Sequence, residues 1–228
     1  MNEPGHEPLL GPATPPDASG IPEADAKGEL FFGRSTLHSY DLVSGTQNTC
    51  GHAAIAALWD FYNRNPYNLP RTEPGPDGRM HFHKDSLVGR ILHQYPPTAL
   101  LPNPFDGWKP ISAVVRETLI RAFQNQELKT DEGYPPAYSD GAVARRWLTD
   151  WLKKNRLPVI TLVDLKTLGE NDHDMIAHWG LVFAVSDQHV RMASWGMVRT
   201  YPWEQFMRAW KMPYLPYPNN FYQLRVWA

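Results

Sequence analysis

The only cysteine of the chain, Cys50, is the residue whose position most strongly suggests covalent chemistry. It stands in the segment Gln-Asn-Thr-Cys-Gly-His (47–52), directly before an alanine-rich run. A helix N-terminus lowers a thiol pKa through its unpaired N–H groups and its positive dipole end, and the thiolate is the reactive form. A structural cysteine is expected inside the apolar face of the helix instead. The position therefore favours a nucleophile with a lowered pKa over a core cysteine.

Two residues beside Cys50 are candidates for an oxyanion site. Gly51 lets a substrate carbonyl approach the backbone closely, so that the N–H of Cys50 can donate to the developing oxyanion. Gln47 stands three residues before the cysteine. We expect its side-chain N–H to supply a second donor to the same oxygen.

A nucleophilic cysteine needs a base, and His178 is the best placed of the nine histidines. It begins the apolar run His-Trp-Gly-Leu-Val-Phe-Ala-Val (178–185), and a second β-rich run (189–195) follows after Ser-Asp-Gln. A hairpin with this turn pairs Val185 with His189 and residue 178 with residue 196. Ser194 is then the diagonal neighbour of His178 and is expected to hold its imidazole. The alternative is a structural histidine at a strand end.

Several aromatic residues are candidates for substrate contacts. Trp179 and Trp195 flank the expected positions of the imidazole and its partner, so we expect both to bind substrate. The Pro-rich, aromatic segment 65–110 adds Tyr67, Phe82 and Trp108, whose alternative role is to pack that segment onto its own domain.

The other histidines are weaker candidates for chemistry. His52 lies at i+2 from Cys50 on the expected helix and should point away from it. His81 and His83 form a His-x-His pair without a third ligand nearby, which favours solvated loop residues. A metal site made of His81, His83 and His173 is the remote alternative. We expect no metal and no cofactor.

The elements that must position these residues follow from apolar periodicity and from helix-capping signals. Helices are predicted over 50–63, 84–94, 110–127, 140–155 and 203–210, with Pro110 in the first turn of the third and Ser139 or Asp140 as N-cap of the fourth. Strands are predicted over 157–164, 178–185, 189–195 and 221–227. Helices followed by an antiparallel sheet indicate an α+β domain.

Composition excludes several classes of protein. The 228 residues carry a formal charge of −2, which does not suit a general nucleic-acid binder, and one cysteine forbids an internal disulfide. No apolar stretch approaches the ~18 residues of a membrane span, and no secretory signal is recognisable. Residues 1–30 hold six prolines, six acidic residues and one basic residue, and predict a disordered tail before a domain over 31–228. The cytoplasm is the expected compartment, with leaderless secretion as the alternative.

The ordered motifs resemble those of papain-like cysteine peptidases, and more narrowly those of the bacteriocin-leader (double-glycine) peptidase family and its stand-alone relatives. They are Thr-Cys-Gly at the start of a helix (49–51), Leu-Pro-Val-Ile (157–160), His-Trp-Gly-Leu-Val (178–182), a hairpin, and a final aromatic element (201–210). They span residues 45–212. The resemblance implies a papain-like fold with Cys50 as nucleophile and His178 as base.

The chain departs from the family pattern at two positions. The orienting Asp or Asn of the family falls at Ser194, or at Ala193 if Ala-Ser-Trp-Gly is matched to the papain-type Asn-Ser-Trp-Gly. The oxyanion Gln of the family usually lies further before the cysteine than Gln47, and Ser44 occupies the position six before it. A serine accepts from an imidazole N–H but stabilises an imidazolium less than a carboxylate does.

These residues predict a hydrolase that forms a thioester with a peptide or protein substrate and uses a Cys–His dyad or an atypical Cys–His–Ser triad. Deamidation and acyl transfer use the same machinery and stay open. A catalytically impaired module that only binds its partner is the alternative from another class. The sequence leaves the oligomeric state undetermined.

Overall fold

A computed structural model of the protein describes residues 23–34, 37, 49–67, 87–96, 99–102, 110–113, 116–132, 140–169, 177–194, 196–212 and 220–228. The helices are α1 (Cys50–Phe61), α2 (Leu87–Gln94), α3 (Arg116–Gln124), α4 (Gly141–Asn155) and α5 (Trp203–Trp210). The strands are β1 (Glu23–Ala24), β2 (Leu30–Gly33), β3 (Ala99–Pro102), β4 (Pro110–Ala113), β5 (Lys129–Glu132), β6 (Val159–Asp164), β7 (Ala177–Val185), β8 (His189–Ser194), β9 (Met197–Pro202) and β10 (Gln223–Trp227).

An antiparallel sheet organises the described part of the chain, with β7 near its middle. One edge of β7 pairs with β6 along Ala177–Val182 and then with β2 at Ala184 and Val185. The other edge pairs with β8, which in turn pairs with β9. Beyond β6 the order continues through β10 to β5, while β3 and β4 form a separate pair. The predicted α+β class is confirmed.

Helices cover both faces of this sheet, because its central strands are apolar on both sides. In β6, Ile160 and Leu162 pack with α1, α2 and α3, whereas Val159 and Val163 pack with α4 and α5. α1 itself is buried over most of its length and lies against β7. The helix that begins at Cys50 is therefore held firmly against the strand that carries His178.

Local signals account for the limits of α4, which lie within one residue of the predicted 140–155. The side chain of Asp140 accepts hydrogen bonds from the N–H groups of Ala142 (2.8 Å) and Val143 (3.3 Å), as the N-cap of α4. The helix ends where Arg156 adopts a left-handed conformation, and its N–H donates to the carbonyl of Leu152. Of the two N-caps proposed from the sequence, Asp140 is correct.

The predicted helix over 110–127 is wrong in its first part. Pro110 lies in β4 opposite Pro102, and α3 begins only at Arg116. A proline at the start of an apolar run fits an edge strand as well as a first helical turn, so local signals do not separate the two. The short strands β5 and β9 were not predicted, because each is exposed on much of its surface.

The structure describes residues 23–30, which belong to the segment that the sequence predicts to be a disordered tail. Glu23–Ala24 pairs with β2, and Asp25 accepts from the backbone N–H of Glu29. Glu29 receives hydrogen bonds from the hydroxyl of Ser186 and from Nδ1 of His189 (2.7 Å to Oε2). Specific tertiary partners thus order an acidic segment that composition alone assigns to a tail.

None of the helices in the described part of the chain has the length and apolar character needed to cross a bilayer.

Candidate active site

Cys50 is the first residue of α1, as predicted. Thr49 precedes it as N-cap, and the N–H of Ala53 donates to the carbonyl of Thr49 at 2.9 Å. Cys50 is partly exposed, whereas the next nine residues of the helix are buried. Cys50 therefore lies where the helix leaves the core, with the N–H groups of the first turn near its thiol.

Backbone N–H groups surround the sulfur of Cys50. The N–H groups of Gly51, of Cys50 itself and of Trp179 in β7 lie near enough to the thiol to act on its pKa, in the lowering direction. Trp179 directly follows His178 in the chain. The fold thus brings the start of α1 to the start of β7, two places separated by more than a hundred residues of sequence.

His178 and Ser194 are in direct contact. The Nε2 atom of His178 lies 2.6 Å from Oγ of Ser194, and both residues are buried. The diagonal contact expected from the hairpin is present. The catalytic role of each residue stays a prediction.

The hairpin reaches this contact by a different register from the predicted one. Val185 pairs with Val190, not with His189, so the turn end is shifted by one residue. A bulge at Phe183 then adds one residue to β7, and Leu181 pairs with Ala193 as expected. The two deviations cancel at the site.

Burial sets the protonation of both candidate catalytic groups. It raises the pKa of the Cys50 thiol above its usual value, although the surrounding N–H groups act in the opposite direction. It lowers the pKa of His178 to about 3. The predicted lowering of the thiol pKa by the helix N-terminus is therefore wrong, because desolvation raises this pKa more than the N–H groups lower it. At neutral pH the pair is an uncharged thiol and an uncharged imidazole.

Trp179 is partly buried and packs against the protein. Its ring meets that of Tyr222 edge-on, with centroids 5.5 Å apart. The Tyr222 hydroxyl donates to Oε1 of Glu132 at 2.7 Å. A packing role for Trp179 is established by these contacts, and its role in substrate binding stays a prediction. Trp195 and Gln47 lie outside the described residues.

His52 points away from Cys50, as its spacing predicts. Its Nε2 lies 2.8 Å from the carbonyl oxygen of Tyr95, just beyond α2, and the side chain is fully buried. The pKa of His52 is lowered, because the effect of burial outweighs the opposing effect of the hydrogen bond to Tyr95. His52 therefore links α1 to the end of α2 and does not take part in the site.

Three residues near His178 were not identified from the sequence. Gly180 lies against Met192, whose side chain occupies the space that a Cβ atom would need. Thr161 donates to the carbonyl of Gly180 at 3.4 Å, and the buried Gln223 pairs with Thr161 across β6 and β10. A glycine inside an apolar strand was the available signal for such a close approach.

The remaining candidates fall mostly outside the described residues. This holds for His81, His83, His173, Phe82 and Trp108. Tyr67 is described, is 38% exposed, and donates its hydroxyl to Oε1 of Gln94 at 2.7 Å. Among the residues that the structure places, no group of three or more His, Cys, Asp or Glu side chains is arranged to hold a metal ion.

Comparisons with known proteins add a distant structural similarity to this description. No protein-family model matches the chain, and no curated protein matches it in sequence. Among solved structures, it is similar to the crystal structure of the peptidase domain of Streptococcus ComA, a bifunctional ABC transporter involved in a quorum-sensing pathway. The identity is 11% and the TM-score 0.49, over 84% of this chain and 98% of that chain.

Proposed function

We propose that the protein is a papain-like cysteine hydrolase that cleaves peptide or amide bonds, with Cys50 as nucleophile and His178 as base. The observation that carries this proposal is the meeting of α1 and β7. The thiol lies near the N–H of Trp179, the residue directly after His178, and His178 contacts Ser194 through Nε2. A thiol, an imidazole and a group that orients the imidazole are the parts of a nucleophilic site.

In the proposed reaction, His178 removes the thiol proton of Cys50 as the sulfur attacks the substrate carbonyl. Because Nε2 is held by Ser194, Nδ1 is the nitrogen that receives the proton. The carbonyl oxygen becomes an oxyanion, for which the N–H of Cys50 and the side chain of Gln47 are the proposed donors. His178 then gives its proton to the leaving amine, and a thioester remains on Cys50. Water hydrolyses the thioester with His178 again as base, which releases the acid and restores the thiol.

Proton transfer in this site accompanies the attack on the substrate and does not precede it. The raised pKa of the thiol and the lowered pKa of His178 disfavour a resting thiolate–imidazolium pair. General-base catalysis during the attack avoids the cost of two buried charges in the free enzyme. Ser194 then stabilises the transient imidazolium as a neutral acceptor.

A binding module without turnover is the second candidate, and the same burial favours it. An imidazole with a pKa of about 3 is a weak base, and no carboxylate occupies the position of Ser194. This candidate predicts that the purified protein binds peptides without cleaving them.

The test is turnover of an equimolar library of decapeptides with five random central positions, read by mass spectrometry. We expect cleavage by the wild-type protein and no cleavage by Cys50→Ala or His178→Gln, each of which should give a circular-dichroism spectrum of the folded protein. Ser194→Ala removes the hydroxyl that contacts the imidazole of His178, and this variant should retain part of the activity. Cleavage that persists in Cys50→Ala contradicts the proposal. Binding of library peptides without cleavage establishes the second candidate.

A further inference from the structure

The bulge at Phe183 decides on which face of the sheet Ser194 lies. The register next to the turn, continued without a bulge, would set Ser194 opposite Leu181. Leu181 and His178 are three positions apart, so their side chains point to opposite faces. The extra residue moves the pairing by one, so that Leu181 pairs with Ala193 and Ser194 joins the face of His178. The contact between His178 and Ser194 thus depends on the bulge.

The packing of β7 shows the same interruption. Phe183 and the following Ala184 both pack in the core on the side of α1, whereas Val182 and Val185 pack in the core on the side of α4 and α5. Two consecutive residues on one face are typical of a bulge. A bulge also leaves backbone groups outside the ladder, and a buried group of this kind needs another partner.

The backbone around β2 supplies that partner. β7 changes its neighbour at the bulge, because Val182 pairs with β6 and Ala184 pairs with Gly33 of β2. The N–H of Arg34 donates to the carbonyl of Phe183 at 2.9 Å. Gly33 lets the backbone come close to this carbonyl, which a Cβ atom would overlap. The segment therefore holds the bulge from the edge of β7 that faces away from β8.

β2 is fixed at both of its ends. Before the strand, Glu29 accepts hydrogen bonds from the hydroxyl of Ser186 and from Nδ1 of His189, on either side of the turn between β7 and β8. After the strand, Nε of Arg34 donates to the carbonyl of Arg156, the residue that ends α4, at 3.0 Å. Hydrogen bonds that involve a charged group are stronger than neutral ones. These contacts keep β2 seated on the bulge.

We propose that Glu29, Gly33 and Arg34 are positioning residues for His178. By docking β2 on the bulge, they hold Ser194 on the face where its hydroxyl meets the imidazole. When β2 loosens, the bulge loses a hydrogen bond and the unbroken register becomes favoured, which turns Ser194 away. The consequence for catalysis rests on the proposed function, whereas the effect on the contact is measurable without turnover.

The first experiment reads the contact by NMR, through the chemical shift of Nε2 of His178 in the full chain with isotope-labelled histidine. His178→Gln assigns the signal, and Ser194→Ala gives the shift without the contact. We expect Gly33→Ala and Glu29→Ala each to move the shift towards that of Ser194→Ala. Gly28→Ala is the matched control, because Gly28 also has a positive φ but nothing lies within 4 Å of its Cβ position. It should keep the wild-type shift.

A wild-type shift in both Gly33→Ala and Glu29→Ala overturns the assignment. Glu29→Ala introduces no clash, so it decides alone if Gly33→Ala does not fold. A shift that moves equally in Gly28→Ala also overturns it, because a loosened turn before β2 would then have the same effect as a lost contact at the bulge.

The second experiment is a double-mutant cycle on the cleavage rate. Gly33→Ala should lower kcat severalfold, about as much as Ser194→Ala, with KM within about twofold, and the double variant should be no slower than Ser194→Ala. Glu29→Ala takes its place if Gly33→Ala does not fold. Effects that multiply would mean that the segment acts on the fold in general, and they overturn the assignment.

The two experiments separate this inference from the proposed function. If the wild type cleaves peptides but the Nε2 shift of His178 does not move in the variants, the positioning role is wrong and the function stands. If nothing is cleaved but the shift moves in Gly33→Ala and Glu29→Ala, the positioning role stands and the hydrolase is wrong.

Discussion

The Nε2 atom of His178 lies 2.6 Å from the hydroxyl oxygen of Ser194, at the point where β7 and β8 separate. Both side chains are buried, and the contact joins two strands on the same face of the sheet. The group next to the imidazole is therefore a neutral hydroxyl and not a carboxylate or an amide. In the proposed reaction, this hydroxyl stabilises the imidazolium of His178.

Ser194→Asp should raise peptide cleavage. A carboxylate next to Nε2 stabilises the imidazolium that forms during attack, and it raises the pKa of His178 from its low value. We expect kcat/KM to increase severalfold, measured on a library peptide that the wild type cleaves. Ser194→Ala is the control and should lower kcat/KM. Complete loss in Ser194→Asp with an intact fold would show that the hydroxyl does not orient the base.

Alkylation of Cys50 should become faster with pH throughout the neutral range. Burial raises the thiol pKa, so the reactive thiolate increases about tenfold per pH unit up to and beyond the usual cysteine pKa of about 8.5. The measurement is the rate of iodoacetamide labelling between pH 6 and pH 10, followed by intact mass. His178→Gln should give a similar profile, because the imidazole is uncharged over this range. A rate that stays flat between pH 6 and pH 8 would instead demonstrate a resting thiolate–imidazolium pair.

The protein should lose stability in acid because of His178. The pKa of this histidine falls from about 6.5 in the unfolded chain to about 3 in the fold. Since the unfolded chain binds the additional proton, this contribution to stability is complete above pH 6.5 and is lost as pH falls towards 3. At 1.36 kcal/mol per pKa unit the full loss is about 5 kcal/mol. His52 acts in the same direction.

Urea unfolding between pH 7.5 and pH 4 measures this loss, with His178→Gln as the control. The variant should show a smaller decrease in the free energy of unfolding over that interval. An identical decrease in both proteins would mean that His178 is not buried in its neutral form.

Gly33→Ala should destabilise the fold strongly. Gly33 has φ of 128°, and a Cβ atom there would overlap the carbonyl of Phe183 at the bulge of β7. The adjacent N–H of Arg34 donates to that same carbonyl at 2.9 Å, so β2 cannot move away without losing the bond. We expect a loss of about 3 kcal/mol or more, from backbone strain and the clash together.

Gly28→Ala is the matched control for this substitution. Gly28 also has a positive φ (78°), but nothing lies within 4 Å of the Cβ position. Its cost should be limited to the backbone conformation, about 1 kcal/mol. Chemical denaturation of both variants measures the difference. Equal effects would show that β2 does not approach the bulge closely.

Several features of the protein follow from the sequence by itself. The limits of α4, α5 and the apolar strands are set by local periodicity, by the Asp140 cap and by Pro202 before Trp203. The position of Cys50 at the start of a helix follows in the same way. The contact between His178 and Ser194 was predicted from the two-residue period of the pleat, and it is present because the bulge at Phe183 offsets the one-residue shift at the turn.

Only the tertiary structure decided the protonation of the site and the place of the N-terminal segment. The thiol pKa depends on how much water α1 and β7 exclude together, and no local signal reports that. The segment before Phe31 is acidic and Pro-rich by composition, yet Glu29 is bound by Ser186 and His189, whose chain positions are more than 150 residues away. Desolvation and long-range pairing are properties of the packed chain, so they appear only when distant elements have met.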